Sequence, residues 1–261
     1  MISDRMRALI DLVRSAKAIV EDRSLAELRV EKGEFDFATE VDVRVQRLVE
    51  EGLRELYPDY QFMAEENTHQ GLDLDRPTWL LDPVDGTTNL IHRYPQCAVA
   101  LGLMVGREIE LGVVYNPFLD QLFYAERGAG AHMDGRRIRV SEVGALHESL
   151  VSVGTSPYEK RHARRDFAIL SEIFEHCQDI RRSGSAALEM AYVALGITEA
   201  YCERTLKPWD YAAAKVIVEE AGGRVTTFAG EPVPVGAPSS CLATNGRVHG
   251  EMLSYTRRML R

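Results

Sequence analysis

Trp79-Leu80-Leu81-Asp82-Pro83-Val84-Asp85-Gly86-Thr87-Thr88-Asn89 packs an apolar run, a proline, two carboxylates and a glycine turn into eleven residues. It opens as an apolar strand that is expected to end at Asp82, because Pro83 has no N–H to extend a sheet. Asp85 lies three residues on, across a tight bend, so two carboxylates at one strand end can face one cation. Gly86-Thr87-Thr88-Asn89 then offers consecutive backbone N–H groups and hydroxyls. If a helix starts there, its N-terminus suits a phosphate. Asp85-Gly86 alone would be an ordinary turn with a Thr/Asn cap. The string as a whole joins cation ligands and anion donors within one short segment. The spacing of a helix–loop–helix calcium site is absent.

Outward from this centre the chain alternates short strands and helices. Before it, apolar residues from Leu9 to Val20 recur at helical spacing, predicting one helix to about Leu25. A polar stretch through Gly33 and Phe35 follows, then a second helix from near Thr39 to about Tyr57, stopped by Pro58. Strand-like runs lie at 61–64, 79–81, 98–105, 110–115 and 121–125, with hairpins expected around Gly106-Arg107 and at 117–120. The second half predicts strands at 150–153, near 180, at 199–203, 224–228 and 242–244. Between and after them it predicts helices at 161–176, 185–195 and 209–221 and a last helix to 261. Gly222-Gly223 reads as the C-cap of the third of these. The pattern is layered α/β, an α+β arrangement with mixed sheets.

Composition bounds the function. The 261 residues carry 31 Lys plus Arg against 40 Asp plus Glu, a net charge of −9 that disfavours a nucleic-acid groove. The N-terminal helix carries Asp4, Arg5, Arg7 and Asp11 and is not a signal-peptide core. The apolar run around 97–105 is too short for a membrane span. Four scattered cysteines read as free thiols of a reducing cytoplasm. No Walker loop, dinucleotide fingerprint, nucleophile elbow or zinc-spaced His pair is present. Asp73-Leu74-Asp75 lacks a preceding strand and reads as a solvated loop. Three distant acids could join the pair at the strand end: Glu65 after the strand at 61–64, Asp42 in the first turn of the second helix, and Asp210 opening an Ala-rich helix. No spacing rule brings them together.

The sequence resembles the inositol monophosphatase family of magnesium-dependent phosphatases along nearly its whole length. Residues 79–89 are similar to the signature W-x-x-D-P-[IV]-D-G-T-x-N, and Trp209-Asp210-Tyr211-Ala212-Ala213 to W-D-x-A-A. Lys32-Gly33 with Asp36-Phe37-Ala38-Thr39 and Asp42 is similar to the N-terminal motif, and Ala64-Glu65-Glu66 to G-E-E. Arg182-Ser183-Gly184-Ser185-Ala186-Ala187 is similar to a substrate-side stretch of bacterial members. The resemblance implies an α/β/α/β/α sandwich, one unit over 1–261 with halves near 1–145 and 146–261 and the active site between them. It implies that Glu65, Asp82, Asp85, Asp210 and the Val84 carbonyl ligate two or three Mg²⁺. Thr87 with Asp42 would orient and deprotonate the attacking water, Glu65 assisting. Gly86, Thr87 and Thr88 would hold phosphate, and Ser185, Ala186 and Glu203 would contact the alcohol.

The implied activity is hydrolysis of a myo-inositol monophosphate or similar polyol or sugar phosphate, with inhibition by Li⁺ and by excess Mg²⁺. Relatives acting on fructose 1,6-bisphosphate, histidinol phosphate or 3′-phosphoadenosine 5′-phosphate are the alternatives. Glu203 tilts the reading towards a polyol, since a carboxylate accepts hydroxyl hydrogen bonds and repels a second phosphate. A cytoplasmic homodimer without nucleic acid or membrane partner is expected. A non-catalytic binding protein, or one touching transcription or translation machinery, is the reading of another class. The chain departs from the pattern at Ala64, Leu90 and Ala214; Leu90, in place of an aromatic residue, is expected to reshape the site wall.

Overall fold

The computed structural model describes residues 2–33, 36–66, 72–157 and 159–260; Phe35, in the predicted polar stretch, lies outside them. Helices α1 (Asp4–Ser15), α2 (Lys17–Val20) and α3 (Arg23–Ala26) precede the paired strands β1 (Arg29–Gly33) and β2 (Asp36–Thr39), and α4 (Glu40–Leu56) follows. β3 (Gln61–Ala64) and β4 (Thr78–Asp85) lead to the short α5 (Thr87–Ile91). Then come β5 (Ala98–Val105), β6 (Glu108–Asn116), β7 (Gln121–Glu126), β8 (Gly130–Met133) and β9 (Arg136–Arg137). The second half runs β10 (Leu150–Val153), α6 (Ala163–His176), β11 (Asp179–Arg181), α7 (Ala186–Ala194) and β12 (Ala200–Leu206). It closes with α8 (Pro208–Glu220), β13 (Arg224–Thr226), β14 (Ser239–Thr244) and α9 (His249–Met259).

Two sheets result. One runs in the order β3-β4-β5-β6-β7-β8-β9, antiparallel except for the parallel pair β3/β4. The other runs β11-β10-β12-β14-β13, with β10 parallel to both β11 and β12. Strand alternation explains the layering. On β5, Val99, Leu101 and Leu103 enter a core with Val41, Val45 and Val49 of α4, while Ala98, Ala100 and Met104 enter another with α7 and α8. On β12, Tyr201 joins that middle core, whereas Ala200 and Cys202 face α6 and α9. The order is therefore α/β/α/β/α, as expected from the resemblance.

The middle layer sits unusually close to the first sheet. Gly102 and Gly112 lie opposite each other in the β5/β6 register. A Cβ on Gly102 would meet Ala212 at 3.2 Å, and one on Gly112 would stand 2.2 Å from the Ala213 carbonyl oxygen. The two glycines form a notch into which α8 drops. The two alanines of Trp209-Asp210-Tyr211-Ala212-Ala213 thus set the depth of Asp210. Gly222-Gly223 ends α8 as predicted: the Gly223 N–H bonds the Val218 carbonyl and the Gly222 N–H bonds Glu219, with Gly222 at φ +92°.

Several expectations are corrected. The strand at 79–81 does not end at Asp82. β4 continues to Asp85, and Pro83 and Val84 form an irregularity between the pairs Asp82↔Ala100 and Asp85↔Ala98. A bulge is where a proline without an N–H is tolerated inside a sheet. The single N-terminal helix is three, broken at Ala16 and again where the Asp22 carboxylate caps the Ser24 N–H at 2.9 Å. The polar stretch before the second helix contains β1 and β2, whose polar residues hide the strand pattern. The cysteines are free thiols, with Cys97, Cys202 and Cys241 buried.

Candidate active site

The end of β4 is the centre. Asp82 and Asp85 are both buried. The Val84 N–H turns back onto Asp82 Oδ1 at 3.0 Å, so the bulge is stabilised by the carboxylate it displays. Gly86 follows at φ +95°, and a Cβ there would press on the carbonyls of Gln96 at 3.0 Å and Gly184 at 3.3 Å. Only glycine fits this corner. It starts α5, whose Asn89 donates to the carbonyls of Gln96 and Ser183 at 2.6 and 2.8 Å and ties the two halves together.

Asp42 reaches this point from α4. Thr39 and Asp42 form a capping box: the Thr39 N–H and hydroxyl both donate to Asp42 Oδ2, at 2.8 and 2.6 Å. That fixes Asp42 Oδ1 towards Thr87, whose hydroxyl lies 3.0 Å from it and 3.0 Å from the Val84 carbonyl. The hydroxyl has one hydrogen for two acceptors. Burial raises the Asp42 carboxyl above its ordinary range, against the pull of the Thr39 bonds.

Glu65 arrives through register. Ala64 pairs with Leu81 in the parallel β3/β4 ladder, so Glu65 follows beside Asp82. The next backbone N–H, of Glu66, donates to Gln46 of α4 at 3.2 Å. Asp210 occupies the first turn of α8, its Oδ2 accepting the Lys207 N–H at 2.7 Å. Burial, then the neighbouring Glu65, Asp85, Asp210 and Asp42, hold the Asp82 carboxyl well above its ordinary value. Asp210 is raised for the same reasons, with burial first and Asp85 next. Glu65, Asp82, Asp85, Asp210 and Val84 line one cavity of about 750 Å³.

Lone-pair arithmetic separates the acids. A carboxylate offers about four acceptor positions. Asp85 has three occupied: Ser185 Oγ and the Ala187 N–H on Oδ2 at 2.5 and 2.7 Å, and the Ala186 N–H on Oδ1 at 3.2 Å. Burial still lifts it to about 6. Asp82 and Asp210 each accept one bond named above, leaving the other oxygen for a further partner. Such a set of hard oxygen donors fits a divalent cation that keeps part of its water, as Mg²⁺ does. Among the described residues no three acidic, imidazole or thiol side chains close around a single point. Mg²⁺ does not require such a cage, because one or two carboxylates with waters suffice.

Beside this cavity a narrower one of about 140 Å³ shares Asp85, Gly86 and Thr87 and is walled by Ser185, Ala186 and Glu203. All the sequence-predicted residues are thus brought together except that Asp42 is wholly buried, reaching the cleft only through Thr87. Ser185 lines the narrower cavity, and its hydroxyl donates to Asp85. Leu90 does not wall the site: it packs into the α1–α4 core on the far side of α5.

Sequence reasoning missed the support of Glu203. Tyr201 donates its hydroxyl to Oε2 at 2.6 Å, and the Ser156 N–H and hydroxyl donate to Oε1 at 2.7 and 3.1 Å. Three of about four positions are filled, which leaves one for a ligand. Ser156 holds this posture at φ +40°, and Gly154 is required because a Cβ would stand 2.0 Å from Glu203. Tyr201 was findable, two residues from Glu203 on the same strand face. The Ser156 bend carried no local signal.

A model of the inositol monophosphatase family matches residues 2–260. The chain is 40% identical over 201 residues to a protein of Salmonella typhimurium named Nus factor SuhB, covering 77% of this chain and 75% of that one. It is 38% identical over 224 residues to the inositol-1-monophosphatase of a Synechocystis species, covering 85% and 77%. Among solved structures, an IMPase of Thermotoga maritima superposes with a TM-score of 0.88 at 33% identity, covering 99% and 98% of the two chains.

Proposed function

Because this chain belongs to the inositol monophosphatase family, we propose that it is a Mg²⁺-dependent phosphomonoesterase acting on myo-inositol monophosphate or a similar small polyol or sugar phosphate. The observation that carries the reading is the convergence of Asp82, Asp85 and Asp210, from both halves of the chain, on one cleft beside the Thr87–Asp42 pair. A buried cluster of carboxylates that raise one another's proton affinity is costly unless cations neutralise it.

In this reading Glu65, Asp82, Asp85 with its one remaining lone pair, Asp210 and the Val84 carbonyl hold the metal. When bound, Mg²⁺ supplies Lewis acidity towards the phosphate and leaving oxygens and acidifies water. The chain's own groups do the rest. The backbone N–H groups of Gly86, Thr87 and Thr88 take phosphate oxygens at the α5 turn. Thr87 accepts a proton from the attacking water as its own hydrogen passes to Asp42 Oδ1. The buried Asp42 carboxyl, with its raised proton affinity, receives it. Ala186 and Glu203 face the alcohol, and Ser185 steadies Asp85.

A panel of phosphate monoesters, assayed for released phosphate with and without Mg²⁺, tests this. Mg²⁺-dependent release with preference for an inositol monophosphate is expected; no release from any ester would end the reading. A staphylococcal relative at 27% identity is described with inositol monophosphate bound, covering 98% of this chain with a TM-score of 0.83. That supports the substrate class. Inhibition by Li⁺, a cytoplasmic homodimer and the absence of a nucleic-acid partner belong to the same proposal. The relatives named Nus factor SuhB favour a second reading, in which the chain works within a larger assembly. Co-purification of defined partners with a catalytically inactive variant separates the two.

A further inference from the structure

The face of α5 turned away from the cleft closes another cavity, of about 240 Å³. Its floor is apolar: Leu90 and Ile91 of α5, Val20 of α2, and Phe118 from the β6–β7 turn. Its rim is charged. Arg23, Arg29 and Arg93, just past α5, are among the residues that line it. The two acids present are already engaged, Glu27 with Arg93 at 3.5 Å and Glu21 with Lys17 at 3.5 Å. Among the described residues neither Arg23 nor Arg29 has a carboxylate within ion-pair distance.

We propose that this cavity is a binding site for a small apolar carboxylate, a single ring or short hydrocarbon with one acidic arm. The size fits: an apolar cavity of about 150 Å³ accepts benzene, and this one is larger by the volume of a short side arm. The side chains of Val20, Leu90 and Ile91 offer a water no polar partner, and a water held against them needs at least two. The body of a ligand therefore gains by displacing solvent from Leu90, Ile91 and Phe118. The rim selects charge, because Arg23 and Arg29 present planar donors suited to a carboxylate at the mouth. A neutral ligand of the same shape forfeits that contact, and a cation meets repulsion.

The site is separate from the proposed catalytic cleft, so its test does not depend on turnover. Isothermal titration calorimetry with 3-phenylpropionate is run in saturating Mg²⁺ and inorganic phosphate, which occupy the cleft. Saturable binding is expected, at least tenfold tighter than for 3-phenylpropanol. The double variant Arg23→Gln, Arg29→Gln, at two exposed positions, should weaken it at least tenfold. Ile91→Trp should abolish it by filling the floor, with the circular dichroism spectrum unchanged. Should Ile91→Trp not fold, Phe118→Ala, at a half-exposed turn position, replaces it and should weaken binding at least threefold. No saturable binding, equal binding of the alcohol, or binding indifferent to these substitutions overturns the proposal.

Discussion

Replacing Gly112 by alanine tests whether the glycine notch sets the depth of α8. The added Cβ would stand 2.2 Å from the Ala213 oxygen and 2.8 Å from the Ala213 Cα. These are backbone atoms of a buried helix, so no side-chain rotation relieves the contact. To restore ordinary separation, α8 must retreat by roughly 1 Å. Overpacking of this kind costs about 1–3 kcal/mol, equivalent to a melting shift of roughly 3–10 °C in a chain of this size. Asp210 lies three residues before Ala213 on the same helix and moves with it. A displacement of about 1 Å at a reacting centre costs on the order of 100-fold in rate. Gly102→Ala, whose nearest contact is 3.2 Å, serves as the graded control and should lose less of both. Urea unfolding and Mg²⁺-dependent phosphate release measure the two effects. A Gly112→Ala protein within 0.5 kcal/mol of the parent would refute the notch argument, as would a Gly102→Ala protein damaged as severely.

Other consequences follow from single groups. Thr87→Val should lower turnover at least 100-fold while Thr87→Ser retains most of it, since only the hydroxyl bridges Asp42 and the Val84 carbonyl; steady-state kinetics of both variants distinguish loss of the hydroxyl from loss of shape. Tyr201→Phe removes a buried donor from Glu203 and should cost about 1.5–3 kcal/mol of stability, with KM rising more than kcat falls; unchanged unfolding would show that the bond contributes nothing. His249 is buried between Thr226 and Thr244, and burial lowers its pKa to about 4. The unfolded chain binds that proton near pH 6.5, so stability is full above pH 6.5 and falls by on the order of 2–3 kcal/mol towards pH 4. Urea midpoints at pH 7 and pH 5 for the parent and His249→Gln check the sign, and the variant should show the shallower fall.

The residues that fold and work locally were legible in the sequence. Residues 79–89 displayed strand, bend and helix start in order, and the apolar spacing of α4 placed Asp42 in its first turn. Gly222-Gly223 marked the end of α8. What escaped were effects decided by distant partners. Pro83 reads as a terminator, yet the ladder to Ala100 and Ala98 on β5 carries the strand past it as a bulge. β1 and β2 are too polar to announce themselves. Nothing local tells that the hydroxyl of Ser185 is taken by Asp85, far away in the chain. The strand end itself paired Asp82 with Asp85, and the family resemblance alone added the distant Glu65 and Asp210 before the fold did. Net charge says nothing of placement: of the acids behind the value of −9, Glu65, Asp82, Asp85 and Asp210 are concentrated in one cleft and are not spread as solubilising surface charge.

The central claim is that the carboxylates at the end of β4 hold the cation on which phosphate release depends. Phosphate release from myo-inositol 1-phosphate across a Mg²⁺ titration, for the parent and Asp82→Asn side by side, tests it most directly. The substitution preserves shape and the bond to the Val84 N–H while removing the charge. A saturable Mg²⁺ dependence is expected in the parent, and near-complete loss of release in a variant that remains folded. Equal turnover by Asp82→Asn, or release by the parent indifferent to Mg²⁺, would contradict it.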